Sequence, residues 1–189
     1  RTISLDGEEQ PRHIGPYEIM QVLGKGGMGE VYRARHAEYG VVVALKVMAA
    51  ELVQDKEALA RFQREAASLS AIEHPNIARV YEFGLSAEGA PYLSMEFIEG
   101  PSLADLIRNQ VDFAHSEESG QPRWSRIARW MREAAEGLRA AYAHKIVHRD
   151  IKPENIMLTG KDSLKIVDFG LAKPLFEDSF RTATGTILG

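Results

Sequence analysis

Short runs of β-branched and aromatic residues follow one another closely from residue 17 onward, separated by Gly-rich or His-Pro-Asn turns. This spacing predicts an antiparallel sheet of five strands, over residues 17–23, 30–35, 41–47, 77–83 and 92–96. Between Lys56 and Ile72 the apolar positions recur with a helical period instead, and Asp55 is the candidate N-cap. We therefore expect one helix to interrupt the strands.

The pattern changes after Glu99-Gly100-Pro101, where a hinge is expected and helical spacing takes over. A short helix is predicted over residues 102–110 and a long one over 125–144, with a polar loop between them. Two short strands, over 156–159 and 164–167, then flank a Gly-Lys-Asp turn. We therefore expect a protein of the α+β class.

The two ends of the chain differ from this pattern. Residues 1–15 are polar and contain Gly and Pro, so a flexible leader is expected there. The chain starts at Arg1 without a Met, and no capped helix or finished strand precedes its end at Gly189. From both ends we expect the chain to be a piece of a longer protein.

The composition excludes several classes of function. The 189 residues are 44% hydrophobic and 26% charged, which is ordinary for a globular protein. The net charge of −4 indicates neither nucleic acid nor an anionic membrane as a partner. There is no Cys, which excludes disulfides, thiolate metal sites and Cys nucleophiles. No apolar run reaches the ~18–20 residues that span a bilayer. The expected location of this domain is the cytoplasm, and a membrane anchor outside these residues stays open.

A glycine-rich loop, Gly24-Lys25-Gly26-Gly27-Met28-Gly29, lies between the first two predicted strands. Without Cβ atoms, its backbone can approach phosphate oxygens and direct amides at them. Glycine turns also close ordinary hairpins, so this pattern alone leaves both interpretations open. A dinucleotide-binding loop should open a helix, whereas Val31 and the residues after it continue as a strand. The Rossmann interpretation is therefore disfavoured.

Lys46 stands inside the apolar third strand. It could be an edge Lys whose stem covers apolar surface, but the following helix carries Glu65 within the apolar stripe of Phe62 and Leu69. A carboxylate on a core-facing stripe needs a partner. We therefore predict a Lys46–Glu65 pair that aims the Lys at phosphates; the alternative is a carboxylate on a solvated rim.

Four polar residues with complementary chemistry follow in the second half of the chain. Asp150 could accept the proton of an attacking hydroxyl, and Lys152 could reach a transferring phosphoryl group. Asn155 and Asp168 offer oxygen ligands for Mg²⁺. Each of them alone is more often a cap or a turn residue, but their joint order and spacing favour phosphoryl transfer from ATP.

Together these motifs resemble the eukaryotic-like Ser/Thr protein kinases, over roughly residues 17–189. The resemblance rests on the glycine loop, Val43-Ala44-Leu45-Lys46, Glu65, His74-Pro75-Asn76, the run from His148 to Asn155, and Asp168-Phe169-Gly170. The Gly-Gly-Met-Gly loop is similar to the bacterial branch, and Lys152-Pro153-Glu154-Asn155 is similar to the Ser/Thr-specific form.

The resemblance implies a two-lobed kinase-like fold, with a sheet-and-helix N-lobe over 16–98 and a mainly helical C-lobe over 99–189. The C-lobe is incomplete, because the family's Ala-Pro-Glu element and the helices after it are absent, and residues 1–189 alone are expected to be poorly stable. ATP and Mg²⁺ are the implied cofactors.

The resemblance also implies roles for individual residues. Lys46, positioned by Glu65, would hold phosphates together with the glycine loop. The adenine would contact Leu23, Val31, Ala44 and Met157, with Met95 at the back of its pocket and backbone hydrogen bonds from Glu96 and Ile98. A stacked spine would consist of Leu69, Val80, His148 and Phe169.

In the second half of the chain, the resemblance implies that Asp150 is the catalytic base and that Lys152 stabilises the charge on the γ-phosphoryl. Asn155 and Asp168 would hold Mg²⁺. Arg149 would pair with a phosphorylated activation loop through a charge-assisted contact. The implied phosphorylation sites are Thr182 and Thr184, with Ser179 and Thr186 as weaker candidates.

The implied function is that of a non-specific Ser/Thr protein kinase acting on protein substrates, with autophosphorylation in trans through self-association. Two alternatives are a catalytically inert nucleotide-binding module, or pseudokinase, and a small-molecule phosphotransferase of kinase-like fold. The intact polar set argues against the first, and the Gly-Gly-Met-Gly loop with Lys-Pro-Glu-Asn argues against the second.

Overall fold

The computed structural model describes residues 12–26, 29–48, 56–109 and 123–169. These residues form two compact units. The first holds the described residues up to Ser70 and Val80–Phe97, and the second holds Ala71–Arg79 and the described residues from Ile98 onward. In the described part of the chain, no helix has the length and apolarity needed to cross a membrane.

The first unit is built on a sheet whose strands are β1 His13–Ile14, β2 Tyr17–Gly26, β3 Gly29–His36, β4 Val42–Met48, β5 Val80–Leu85 and β6 Pro91–Glu96. All neighbours are antiparallel, in the order β1-β2-β3-β4-β6-β5. The sheet therefore has six strands rather than the five predicted. The additional strand, β1, lies within the predicted leader over 1–15, because Ile14 is buried and pairs with Tyr17.

The two faces of this sheet carry different residues, because cross-strand neighbours share a face. One face carries a hydrophobic core cluster of Ile14, Tyr17, Tyr32, Ala34, Val43, Leu45 and Tyr92. On the opposite face, Lys46 pairs with Val31 on one side and with Leu93 on the other. Ala44, two residues earlier in β4, pairs with Met95 on this same face. We call it the Lys46 face.

The helix α1, Lys56–Ser70, packs against the Lys46 face. The Phe62 ring lies 5.4 Å from the Phe83 ring, measured between centroids, and Phe83 pairs with Leu93 on that face. The buried positions of α1 follow helical spacing; they are Phe62, Ala66 and Leu69. This apolar stripe agrees with the predicted one.

The second unit contains α2 Leu103–Arg108, α3 Arg123–Ala143, a 3-10 turn Pro153–Asn155, β7 Ile156–Leu158 and β8 Leu164–Ile166. The two helices and the two strands lie within a few residues of their predicted positions, whereas the 3-10 turn had not been predicted. Helix α2 begins with a capping box, in which Ser102 and Asp105 each bind the other's backbone N–H. Strands β7 and β8 form a separate two-stranded sheet, the β7–β8 hairpin, and α3 packs against β8.

The segment Ala71–Arg79 belongs to the second unit because it is hydrogen-bonded to β8. The N–H of Ile166 donates to the Asn76 carbonyl, and the N–H of Ala78 donates to the Ile166 carbonyl, both at 2.9 Å. The strand predicted over 77–83 consequently begins only at Val80. The division into lobes over 16–98 and 99–189 stays a prediction.

Candidate active site

The predicted catalytic loop begins at His148, which is buried. Its Nδ1 accepts the backbone N–H of Asp150 at 3.3 Å, so Nε2 carries the proton and donates to the Val167 carbonyl at 3.0 Å. The ring also packs on Phe169, with centroids 4.6 Å apart. His148 thereby links the loop to the segment that contains Asp168.

Two side chains hold the carboxylate of Asp150. The Nζ of Lys152 lies 3.0 Å from Oδ2, and the Nδ2 of Asn155 donates to Oδ2 at 3.1 Å and to the Asp150 carbonyl at 2.8 Å. The hydrogen bond from Lys152 to Asp150 raises the pKa of the Lys, which keeps it charged. The arrangement orients a partly exposed carboxylate beside a cation.

A backbone hydrogen bond connects the two predicted metal ligands. Asn155 is buried at the end of the 3-10 turn, and its carbonyl accepts the N–H of Val167 at 2.9 Å. Val167 directly precedes Asp168, so this bond limits the separation between Asn155 and Asp168.

Two residues of this region have left-handed backbone: Arg149 with φ of 63° and Asp168 with φ of 53°. Outside Gly this conformation costs about 1–3 kcal/mol and persists only where the surrounding structure imposes it. The contacts of His148 with Asp150, Val167 and Phe169 supply such constraints on both segments.

The oxygen atoms that could bind a metal ion near Asp150 suit Mg²⁺. Because the amide nitrogen of Asn155 is bonded to Asp150, its amide oxygen is the atom suited to bind a cation, and Asp168 adds a carboxylate. Among the described residues, no group of three or more His, Asp or Glu side chains could hold a metal ion. Mg²⁺ commonly takes one or two protein ligands together with substrate phosphates and water, and this pair of residues fits that mode.

The predicted nucleotide-binding residues of the first unit share the Lys46 face, and they are Val31, Ala44, Lys46 and Met95. Lys46 and Met95 are buried, at 9% and 7% exposure. Glu96 is the last residue of β6, and the buried Ile98 is the residue at which the chain returns to the second unit.

The predicted partner of Lys46 lies on the helix that covers the same face. Glu65 is partly buried and sits between the buried Phe62 and Ala66 along α1. This side of α1 packs on the Lys46 face through β5, where Phe62 contacts Phe83. The arrangement agrees with a Lys46–Glu65 ion pair, which stays a prediction.

The glycine loop covers the end of β2 and the start of β3, where Gly26 pairs with Gly29. Gly29 has φ of 129°, and a Cβ there would lie 2.0 Å from the Val47 carbonyl oxygen, so the fold requires Gly at this position. A Cβ at Gly24 or Gly26 would meet no atom within 4 Å. Packing among the described residues therefore does not explain why these two positions are Gly. Close approach of a phosphate to the backbone would explain it, because a Cβ would stand in the way.

Lys25, within the glycine loop, and Leu23, just before it, differ in their surroundings. Lys25 pairs with Glu30, with Nζ 2.8 Å from Oε1, and this hydrogen bond raises the pKa of Lys25 and lowers that of Glu30. Leu23 falls at a register shift between Val22 and Gly24. Such a bulge redirects side chains near binding sites, and Leu23 is 44% exposed.

Other predicted residues are placed in one unit or the other. Met157 lies in β7, opposite Lys165 in β8. Arg149 is exposed. Leu69 and Val80 are buried in the first unit, while His148 and Phe169 are in contact in the second, so the full spine stays a prediction.

Several predicted residues lie outside the described part of the chain. They are Asp55, Gly27, Met28, Gly170, Ser179, Thr182, Thr184 and Thr186.

Asn76 had no predicted role of its own. In the structure this residue is buried, its Nδ2 donates to the Leu164 carbonyl at 2.8 Å, and its carbonyl accepts the N–H of Ile166. It anchors β8 just before Asp168. The His-Pro-Asn motif was the available signal, but nothing in its local pattern indicates a partner so distant in sequence.

Comparison with known proteins identifies relatives for this arrangement. The family model described as protein kinase domain matches residues 17–188. The chain is 34% identical over 183 residues to the serine/threonine-protein kinase PknB of Mycobacterium leprae, covering 95% of this chain and 28% of that protein. It is 38% identical over 189 residues to a probable serine/threonine-protein kinase of Streptomyces coelicolor, covering 96% and 26%.

A solved structure is similar as well. The crystal structure of the PknI kinase domain of Mycobacterium tuberculosis matches with a TM-score of 0.70 at 26% identity, covering 88% of this chain and 62% of that one. The chain spans 28% and 26% of the length of the two curated relatives.

Proposed function

This chain belongs to the protein kinase domain family, and on that premise we propose that the protein transfers the γ-phosphoryl group of MgATP to Ser and Thr hydroxyls of protein substrates. The observation that carries the proposal is the set of contacts around Asp150, in which Lys152 and Asn155 hold the carboxylate. The relatives named above as Ser/Thr kinases support the specificity for hydroxyls of Ser and Thr.

In the proposed reaction, the Ser or Thr oxygen attacks the γ-phosphorus as the bond to the β–γ bridging oxygen breaks, leaving ADP. Asp150 orients the attacking hydroxyl and accepts its proton. Lys152, kept charged by its contact with Asp150, stabilises the negative charge on the transferring group. Catalysis of this kind depends on positioning and charge neutralisation, which the held geometry of Asp150 supports.

Asn155 and Asp168 would hold Mg²⁺, and the bound ion would neutralise charge on the phosphates. Lys46, positioned by Glu65, would bind the α- and β-phosphates. The open space beside Gly24 and Gly26 supports close approach of phosphates to the loop backbone. The Lys46 face would accept the adenine between its apolar side chains.

The test is an assay of the full-length protein with labelled ATP and three classes of acceptor: Ser/Thr peptides, Tyr peptides and a small-molecule antibiotic. We expect label on Ser or Thr only, and only with Mg²⁺. Transfer to the antibiotic would favour a small-molecule phosphotransferase. MgATP binding with no transfer to any acceptor would favour the inert nucleotide-binding module, which the intact polar set otherwise disfavours.

We also propose regulation by autophosphorylation. Arg149, exposed beside the base, would bind a phosphate on Thr182 or Thr184, ordering the activation loop. Mass spectrometry of the protein incubated with MgATP should find phosphate on one of these Thr, at a rate that rises with protein concentration if the reaction runs in trans through self-association. An active enzyme with neither Thr modified would contradict this proposal. We place this activity in the cytoplasm, where ATP is available.

A further inference from the structure

The turn of the β7–β8 hairpin is fixed to α3 by two guanidinium groups on one carboxylate. Arg126 binds Asp162 in a forked arrangement, with Nε 3.0 Å from both carboxylate oxygens and Nη2 2.6 Å from Oδ1. Arg129 donates to the same carboxylate and, at 3.1 Å, to the Asp162 carbonyl. Forked contacts of this kind restrict orientation as well as distance.

Two further side chains of α3 complete this attachment. The indole N–H of Trp130 donates to the Asp162 carbonyl at 3.2 Å, and the Arg126 guanidinium lies 4.7 Å from the Trp130 ring centroid. Glu133 accepts the backbone N–H of Leu164 at 2.7 Å. We call these contacts of Arg126, Arg129, Trp130 and Glu133 with the hairpin the turn clamp. The positive charges of its two Arg are matched by the negative charges of Glu133 and Asp162.

The hairpin needs such an attachment because it is short. Strands β7 and β8 have three residues each and form a separate two-stranded sheet, and two strands alone are marginally stable. Asn76 and Ala78 hold β8 near the end that carries Asp168, and the side chains of α3 hold the turn at the other end. Asn155 directly precedes β7, and Asp168 follows shortly after β8. The end of the hairpin opposite the clamp therefore carries the two residues proposed to hold Mg²⁺.

We propose that Asp162 is a positioning residue for Asn155 and Asp168: the turn clamp sets the orientation of the β7–β8 hairpin and thereby the spacing of the two ligands. The proposal rests on the proposed function of this pair. The paired backbone from Leu158↔Leu164 to Ile156↔Ile166 is continuous, so a change at the turn is transmitted along it.

The readout closest to this effect is the hydrogen bond from the Val167 N–H to the Asn155 carbonyl, because it spans the two ligand-bearing segments. If loss of the clamp lets the hairpin change its orientation, this hydrogen bond opens more often. The Val167 amide then exchanges faster with solvent. The amide therefore reports the ligand spacing without any need for catalysis.

The chain offers a well-matched set of variants. Asp162 has φ of 58°, a conformation that Asn also adopts readily, so Asp162→Asn removes the charge while keeping the backbone. Arg126→Gln breaks the clamp from the α3 side. Arg132→Gln is the control, because Arg132 lies on the same helix and pairs with Glu136 at 3.9 Å, away from the hairpin.

The experiment compares these variants in the full-length protein by hydrogen exchange and by titration of ATP binding at increasing Mg²⁺. We expect Asp162→Asn and Arg126→Gln to exchange faster at Val167 and to need about tenfold more Mg²⁺ for tight ATP binding, the scale seen when supports of a metal ligand are removed. Arg132→Gln should match the wild type in both measurements.

Unchanged exchange at Val167 and unchanged Mg²⁺ dependence in both clamp variants would overturn the proposal. If Asp162→Asn fails to fold, Arg126→Gln decides the question alone. A wild-type protein that binds no MgATP would contradict the proposed function instead, and exchange at Val167 would then still decide whether the clamp controls the spacing.

Discussion

In the first unit the residues proposed for nucleotide binding are placed by strand register. In the second unit the proposed catalytic residues are placed by a network of hydrogen bonds that involves both side-chain and backbone groups. Val31, Ala44 and Lys46 share a face because of their positions along β3 and β4. Asp150, by contrast, has its carboxylate bound by Lys152 and Asn155.

The difference determines how each unit should respond to substitution. A residue placed by register can be replaced without moving its neighbours, since the backbone ladder remains. A residue placed by a network holds others in position, so its loss displaces groups that it contacts. Substitutions in the second unit should therefore disturb several residues together, and those in the first should act locally.

Among the substitutions that compare the two units, the largest effect is expected from Asn155→Ala. This change removes a proposed Mg²⁺ ligand and both hydrogen bonds to Asp150, so transfer should fall by about a thousandfold, equivalent to several kcal/mol. The measurement is the rate of phosphate transfer at saturating ATP.

Asn155→Asp is the informative companion. It keeps an oxygen ligand but loses the N–H donor and puts a second carboxylate beside Asp150. If the network matters, its activity should also fall steeply. Wild-type activity in Asn155→Asp would show that metal binding alone explains Asn155 and would weaken the comparison between units.

The next effect concerns two Gly of the same loop. Gly29→Ala should lower the free energy of unfolding by about 3 kcal/mol, because of its left-handed backbone and the collision with the Val47 carbonyl. Gly26→Ala should leave stability within about 0.5 kcal/mol, since no atom lies near, yet weaken ATP binding about fivefold, or roughly 1 kcal/mol.

Chemical denaturation and direct ATP titration of both variants check this pair. A Gly26→Ala protein that binds ATP as well as the wild type would remove the argument that a phosphate approaches this part of the loop.

The smallest effect is expected at the capping box of α2. Ser102→Ala should cost about 1 kcal/mol of stability. The hydrogen bond from Ser102 is the main cause of the lowered pKa of Asp105, whose ordinary value is 3.8. Because the pKa of Asp105 is lower in the folded protein, its carboxylate stabilises the fold at pH values above the ordinary pKa. This stabilisation is lost as the pH falls through the pKa of the folded state.

The measurement is unfolding at pH 7 and at several values below 4. The stability difference between wild type and Ser102→Ala should be full at pH 7 and shrink in acid. A difference that stays constant over this range would contradict the assigned role of the Asp105 carboxylate.

Much of the fold was predictable from local patterns. The kinase-like fold is confirmed by the similarity to a solved kinase domain. Strands β2 to β4 begin within a residue of their predicted starts, because alternation and Gly turns are local signals. The strand β1 was not predictable, since a two-residue strand has no period.

The contacts that hold the proposed site were less predictable. Arg126 and Asp162 are 36 positions apart. Asp162 belongs to the predicted Gly-Lys-Asp turn, but no local pattern joins it to Arg126. The left-handed backbone of Arg149 had no signal either, because Arg rarely adopts it. Residue types that carry chemistry can be recognised by spacing, whereas the groups that position them depend on tertiary packing.

The central claim is that Asp150 acts as the base in transfer of a γ-phosphoryl group. The most direct test compares the full-length wild type with Asp150→Asn for transfer to a Ser/Thr peptide, together with MgATP binding. We predict that transfer falls by about 10²–10⁴-fold while MgATP still binds. An Asp150→Asn protein that transfers phosphate at the wild-type rate would contradict the account.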